Sequence, residues 1–482
     1  MKRIPLFYFL VLISVSAAIY GVIRQGESLP TPQSTTDGVQ QRALVALDQP
    51  ETISGLIDGL KTNLNSPLSH LFLQLLIIIV VSGVMSRIFS RVGQPSVVGE
   101  MAAGILLGPS LFGLLAPNMF SVVFPQDSLG TLGLLSQIGV CFFMFVVGME
   151  VNMKHMRSMA HAAVAVSHAS ILIPSLLGVM LAYYLFVDLG APGTTFTAFA
   201  LFMGISMSIT AFPVLARIIK ERNLSGTALG TTAVTCAAVD DVTAWSLLPF
   251  VVAISRAGSL GGSVVTVLST LVFVAIMLAF VRRGLPRWIG PKRMSDTEPT
   301  RVTLIIIVSL VMISAMSTEI IGVHALFGAF LAGTVMPDVH EFRQRISIRV
   351  ESFSSVLLLP VFFTYTGLRT QIGLIGDLNG WLLCLLIVAV ATIGKLGGSA
   401  IAARLTGMGW RDSLQLGALM NTRGLMELIV LNIGYDLGIL SSRIFAMLVV
   451  MALVTTILTG PLLSLFSWQW GKTNRGHNAP AS

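Results

Sequence analysis

The stretch GISMSITAFPVLARIIK, Gly204 to Lys220, lies in an apolar run long enough to cross a bilayer and interrupts it. Proline at 213 has no N–H to give and its ring clashes with the preceding turn, so a helix cannot run through it undisturbed. Ser206, Ser208 and Thr210 stand just ahead of it. Late in the chain LGALMNTRGLMELIVLNIG, Leu416 to Gly434, repeats the pattern, with Asn421, Thr422, Arg423 and Gly424 near its middle. Backbone freed by a break is tolerated inside a membrane only where it lines protein or a wet cavity. Two such segments predict two broken helices that cross.

Around them, apolar runs of about twenty residues, the length that spans the hydrocarbon core, recur at 69–87, 97–116, 131–150, 161–187, 195–216, 226–255, 262–281, 302–320, 322–337, 352–368, 379–403, 412–435 and 442–468. They predict an all-α polytopic membrane protein with about 13 transmembrane helices. The interrupted segments are the fifth and twelfth. The first six and last six runs flank the seventh and its basic connector, so the halves point in opposite directions. That is an inverted repeat, and the interface of such a repeat is where a transport site near the bilayer midplane is expected.

Composition agrees. Of 482 residues, 54% are hydrophobic and 11% charged, less than half the charge of about 25% that soluble proteins carry. This excludes a soluble enzyme, a nucleic-acid binder and a disordered scaffold. The net charge of +8 follows from topology rather than from an anionic partner. With residue 1 and the tail on the cytoplasmic side, 22 of the 30 Lys/Arg fall there and six outside, while Lys395 and Arg423 lie within spans. That is the bias that orients membrane proteins. Residues 1–23 have a basic start, an apolar stretch and small residues at Ser16–Ala18, the pattern of a signal peptide, with an extra transmembrane helix as the alternative. Residues 24–68 read as an exterior polar linker, 69–468 as the transmembrane domain and 469–482 as a short cytoplasmic tail.

The sixth run contains AAVDDVTAW, Ala237 to Trp245, with Asp240 and Asp241 near its middle. A charge at that depth costs about 2.5–3.5 kcal/mol on insertion scales. Two adjacent carboxylates also repel, and taking up a cation or a proton relieves both costs. Lys395, in IGKLGGSAIAAR of the eleventh run, is the expected charge partner, with Gly394, Gly397 and Gly398 permitting close approach. Arg423 and Glu427 are one helical turn apart and can pair with each other. With Asn421 and Pro213 they are assigned a structural or gating role rather than direct ion binding. Glu100, Glu319 and His324 read as helix-end residues, and Cys141, Cys236 and Cys384 as packing residues. His161 and His168 share a face, but no cysteine or carboxylate completes a metal site there. No metal, cofactor or nucleic-acid partner is expected.

With GQPSVVGEMAAGILLGPSLFG, Gly93 to Gly113, these motifs stand in an order that resembles the second monovalent cation:proton antiporter family. MNTRGLMELIVLNIG is especially similar to its plant cation/proton exchanger clade and their bacterial relatives. The resemblance covers about residues 69–468. It implies thirteen spans in an inverted repeat with two crossed broken helices, and usually a homodimer. It makes Asp241 the ion-binding carboxylate and Asp240 the preceding acid, which is Asp in many electrogenic members and Asn in many electroneutral ones. Lys395 matches the basic residue paired with that first acid, and Thr210 with its neighbour Ser208 the broken helix beside the site. Many members carry a glutamate directly after the arginine and glycine; here the acid comes later, at Glu427.

The expectation is a Na⁺ or K⁺:proton antiporter of a cell inner membrane, working by alternating access. Cation and proton compete for Asp241, while Asp240 either carries a second proton or releases Lys395 when the cation arrives. Three rivals stay open. A ligand-gated potassium efflux system would need a cytoplasmic sensor domain, for which 469–482 is too short. An intramembrane aspartyl protease would need its two acids on different helices. An organic anion symporter would use the N-termini of the broken helices.

Overall fold

A computed structural model describes residues 66–150, 161–224, 227–256, 260–296 and 298–475. The leader assigned to 1–23, nearly all of the linker at 24–68 and the last residues of the tail lie outside these. The described chain is helical, and its only strand-like pairing is an isolated antiparallel bridge between Gly190 and Leu440.

In the first half, α1 is Pro67–Arg91, α2 Ser96–Leu107, α3 Gln126–Glu150 and α4 His161–Leu189. The fifth run splits into α5, Phe196–Ser208, and α6, Phe212–Glu221, followed by α7, Ala228–Arg256. The connecting element α8, Leu260–Ile276, continues through a π-turn at Met277–Val281 to Ile289. In the second half come α9, Arg301–Ile321, α10, Ala325–Thr334, and α11, His340–Phe353, which runs through a π-turn into α12, Leu359–Arg369. Next is α13, Leu378–Thr392, joined by a π-turn at Ile393–Gly397 to α14, Gly398–Leu405. The twelfth run splits into α15, Trp410–Met420, and α16, Leu425–Asp436, and α17 is Ser442–Arg475.

Among the described residues, ten of the crossings are helices long and apolar enough to span a membrane, which makes this a multi-pass membrane protein. The other three predicted crossings fall on shorter pieces: α5 with α6, α10 alone, and α15 with α16. The ninth is short because Gly322, in the left-handed conformation, ends α9 and Pro337 follows α10 closely. The structure also revises two boundaries. The basic stretch left between the ninth and tenth runs, 338–351, is helical from His340 and continuous with the tenth crossing. Arg343 anchors that helix by donating to Met149 O, Pro337 O and Met336 O at 2.9, 2.9 and 2.6 Å. The seventh crossing likewise runs on to Ile289.

Helix pairing repeats between the halves. α1 packs on α2 as α9 packs on α10; α2 packs on α12 as α10 packs on α3; α4 packs on α7 as α13 packs on α17. Glycines carry the second correspondence. A Cβ at Gly104 of α2 would lie 2.1 Å from Phe363 O of α12, and one at Gly333 of α10 would lie 2.1 Å from Phe145 O of α3. Gly367 and Gly148 face back across the same two contacts, with Cβ positions 2.0 Å from Gly104 O and 2.1 Å from Phe330 O. Between helices in lipid there is little hydrophobic drive, so backbone approach through small residues holds them together. These pairings sort the helices into two groups. One contains α1, α2, α3, α9, α10 and α12; the other contains α4 to α7 and α13 to α17, and holds both broken crossings.

Candidate functional site

Thr195 starts α5 by accepting from Ala198 N at 3.3 Å, and every residue from Phe202 to Thr210 is buried. The helix stops at Ser208. In a continuous helix Pro213 could give no hydrogen bond to residue 209 and its ring would collide there, and Ile209 is extended, with ψ 136°. Pro213 itself sits in the first turn of α6, where a missing N–H costs nothing. On the other side α15 ends at Met420 and α16 begins after Gly424, which packs so closely on α6 that a Cβ would lie 2.9 Å from Val214 Cγ2. Ala211 N donates to Thr422 O at 3.0 Å, so the two breaks meet backbone to backbone.

The carbonyls left open at the end of α5 are taken by two buried cations. Arg423 Nη1 donates to Ser206 O at 2.6 Å and Nη2 to Met207 O at 2.7 Å, while Lys395 Nζ donates to Ser208 O. A helix C-terminus carries partial negative charge, so both side chains neutralise it in the apolar interior. Arg423 also donates to Glu427 Oε2 at 2.8 Å, and its backbone N–H is held by Thr456 Oγ1 at 3.1 Å.

Lys395 Nζ makes two further hydrogen bonds, to Ser170 O at 3.0 Å and Asp240 Oδ2 at 2.9 Å, so its three donors meet three acceptors. It lies on the π-turn of the eleventh crossing, a distortion frequent at functional sites. Asp240, fully buried on α7, accepts from Ser167 Oγ at 2.5 Å, Ser170 Oγ at 2.9 Å and Thr210 Oγ1 at 2.7 Å besides Lys395. Thr210 has one proton, and Met420 O at 3.2 Å is its other acceptor. The shorter bond, to a charged group, is the stronger.

Asp241, 3% exposed, is the next residue on α7. Adjacent helical positions point about 100° apart, so it looks away from the cage around Asp240. Asn421, at the second break, is fully buried with neither amide atom hydrogen-bonded, and Ser206 Oγ is likewise without a partner. Asp240, Thr210, Lys395, Arg423 and Glu427 thus come together at the crossing. Ser208 contributes its carbonyl, because its hydroxyl donates back to Ile205 O at 2.8 Å.

Other predicted polar residues lie elsewhere. Glu319 caps α10 by accepting from Ala325 N at 2.8 Å, Glu100 is half-buried on α2, and His168 is exposed. The side chain of His161 lies outside the described residues. Sequence reasoning missed Ser167 and Ser170. Their i, i+3 spacing on α4 was the available signal.

Residues 59–469 match the family described as "Sodium/hydrogen exchanger, transmembrane". The chain belongs to this family. Among curated relatives of this exchanger, the Na(+)/H(+) antiporter NhaS4 of Synechocystis is 41% identical over 390 residues, covering 81% of this chain and 95% of that protein. Cation/H(+) antiporter 20 of Arabidopsis thaliana is 38% identical over 411 residues, covering 83% of this chain but only 48% of the plant protein. The exchanger spans about half the length of that relative. Among solved structures, the sodium proton antiporter MjNhaP1 of Methanocaldococcus jannaschii superposes with a TM-score of 0.61 at 13% identity, covering 84% of this chain and 98% of that one. At that identity the likeness is one of fold.

Proposed function

We propose that this exchanger family member moves a monovalent cation, Na⁺ or K⁺, against protons across a cell inner membrane, as a homodimer. The observation that carries the reading is the cage at the crossing. One acid, Asp240, is held by Lys395 and three hydroxyls, and a second buried acid, Asp241, adjoins it. In this reading Asp241 accepts either a dehydrated cation or a proton, never both, and that exclusion couples the two fluxes. Asn421 and Ser206, whose polar atoms are unengaged, leave oxygens available near a stripped ion.

Asp240 and Lys395 form the second half of the device. A cation reaching Asp241 brings positive charge close to Lys395 and weakens its hold on Asp240. Asp240 can then rearrange toward the ion, and it carries a second proton on the return step, once the cation has left. Two carboxylates allow two protons per cation, which moves net charge across the membrane. Alternating access follows from rigid-body motion of the group bearing the broken helices against the other, as in other inverted-repeat transporters. Arg423 and Glu427 keep the crossing intact while it moves. The NhaS4 and plant names support cation/proton exchange over an organic anion symporter.

The test is a pH-sensitive dye in proteoliposomes that are acidic inside. Adding Na⁺ or K⁺ outside is expected to raise the internal pH, with a rate that responds to an imposed membrane potential. No pH change with either cation, or a response to an added organic acid anion instead, contradicts the reading.

A further inference from the structure

A cavity separates the two helix groups on the side that the Lys/Arg distribution assigns to the exterior. Its polar lining includes Ser136 and Gln137 of α3, His324 at the start of α10, Tyr365 of α12, and Asn432 and Asp436 of α16. Two features point to a cation. Asn432 is 7% exposed; its Nδ2 donates to Thr366 Oγ1 at 2.8 Å and Leu428 O at 2.9 Å, while its Oδ1 has no partner. An amide oxygen left bare in a buried position lacks only a donor or a cation.

The second feature is a cation already there. Arg369 Nη1 of α12 donates to Asp436 Oδ1 at 2.5 Å, and this pair bridges the two helix groups. The guanidinium also bonds the Tyr365 hydroxyl and lies 4.2 Å from the Tyr365 ring centre and 5.3 Å from that of Tyr435. Arginine stays charged at any working pH. Asp436 is therefore always occupied unless another cation takes it, and the two rings can hold the displaced guanidinium by cation–π attraction. Asn432 is one turn inward from Asp436 on the same face of α16, and Glu427 at the crossing lies further along that helix.

We propose that this cavity is an outer relay site for the transported monovalent cation. Asp436 and Asn432 Oδ1 supply oxygens, and Arg369 is the resident cation that the arriving ion displaces. The site rests on the exchange reading above but uses none of the residues of the crossing.

Initial exchange rates against cation concentration, with Na⁺ or K⁺ presented at the outer or the inner face of oriented vesicles, test it. Asp436→Asn removes the charged ligand, and the outer-face KM should rise about fivefold, the factor equivalent to the ~1 kcal/mol upper range of a partly exposed ion pair. Arg369→Gln removes the competitor, and the outer-face KM should fall. The inner-face KM should move in neither. A role as a structural latch alone predicts lower maximal rates from both faces and no opposed KM shifts, and that result overturns the proposal. Loss of exchange in both variants with an unchanged thermal transition overturns it as well. A wild type without cation-driven proton movement overturns the exchange reading and the relay together.

Discussion

Asp241→Asn is expected to reduce cation/proton exchange in proteoliposomes to the leak of empty vesicles, while the purified protein keeps its thermal transition. Asparagine has nearly the shape of aspartate but neither takes up a proton nor neutralises a stripped cation. The side chain is 3% exposed, so the substitution removes a charge from an apolar crossing rather than adding one, and burial of a charge is the larger cost. Function and stability therefore part company at this position. Exchange above the background leak would mean that the ion's charge is met elsewhere. A lost thermal transition would mean that Asp241 is part of the scaffold.

Lys395→Ala is expected to have the largest effect on stability. It leaves a buried carboxylate, Asp240, with only three hydroxyl donors, and strips Ser208 O and Ser170 O of theirs. Removing one partner of a buried ion pair typically costs ~3–5 kcal/mol, whereas replacing both by neutral groups is far milder. The double variant Asp240→Asn, Lys395→Met should therefore recover much of the thermal stability lost in the single one while remaining impaired in exchange. A single variant as stable as the wild type, or a double variant no better than the single, would show that the pair is not what holds the crossing.

What could be read from the sequence was what local chemistry dictates. Pro213 announces its break because a proline has one consequence for a helix wherever it sits. The four-residue spacing of Arg423 and Glu427 announced their contact, although Arg423 makes it from the break ahead of α16 rather than from one turn of a continuous helix. A lysine in an apolar run demands a counter-charge, and Asp240 and Asp241 were the acids nearest mid-membrane on another helix; local chemistry did not choose between them, and the family resemblance pointed to Asp240. The rest depended on contacts across the chain. Arg423 binds Ser206 O and Met207 O more than 200 positions away, and nothing in the side chains of those residues advertises an open carbonyl. Ser167 and Ser170 look like any small residues of a membrane helix until α4 is laid against α7. The helix at 340–353 was hidden by its charge, since a basic stretch between apolar runs has the composition of a loop, and the carbonyls of Met149, Met336 and Pro337 that anchor Arg343 are not visible in composition. The ten-residue α10 was legible as a short run, but its mirrored contact with α3 rests on glycines spread over both halves.

The central claim is that cation and proton exclude one another at one buried acid. Its most direct measurement is the half-saturating cation concentration for exchange, followed over a series of outside pH values at fixed internal pH. Competition predicts that this concentration rises as the medium is acidified, approaching about tenfold per pH unit by linkage, while the rate at saturating cation stays constant. A half-saturating concentration independent of pH, with a maximal rate that falls instead, would contradict it.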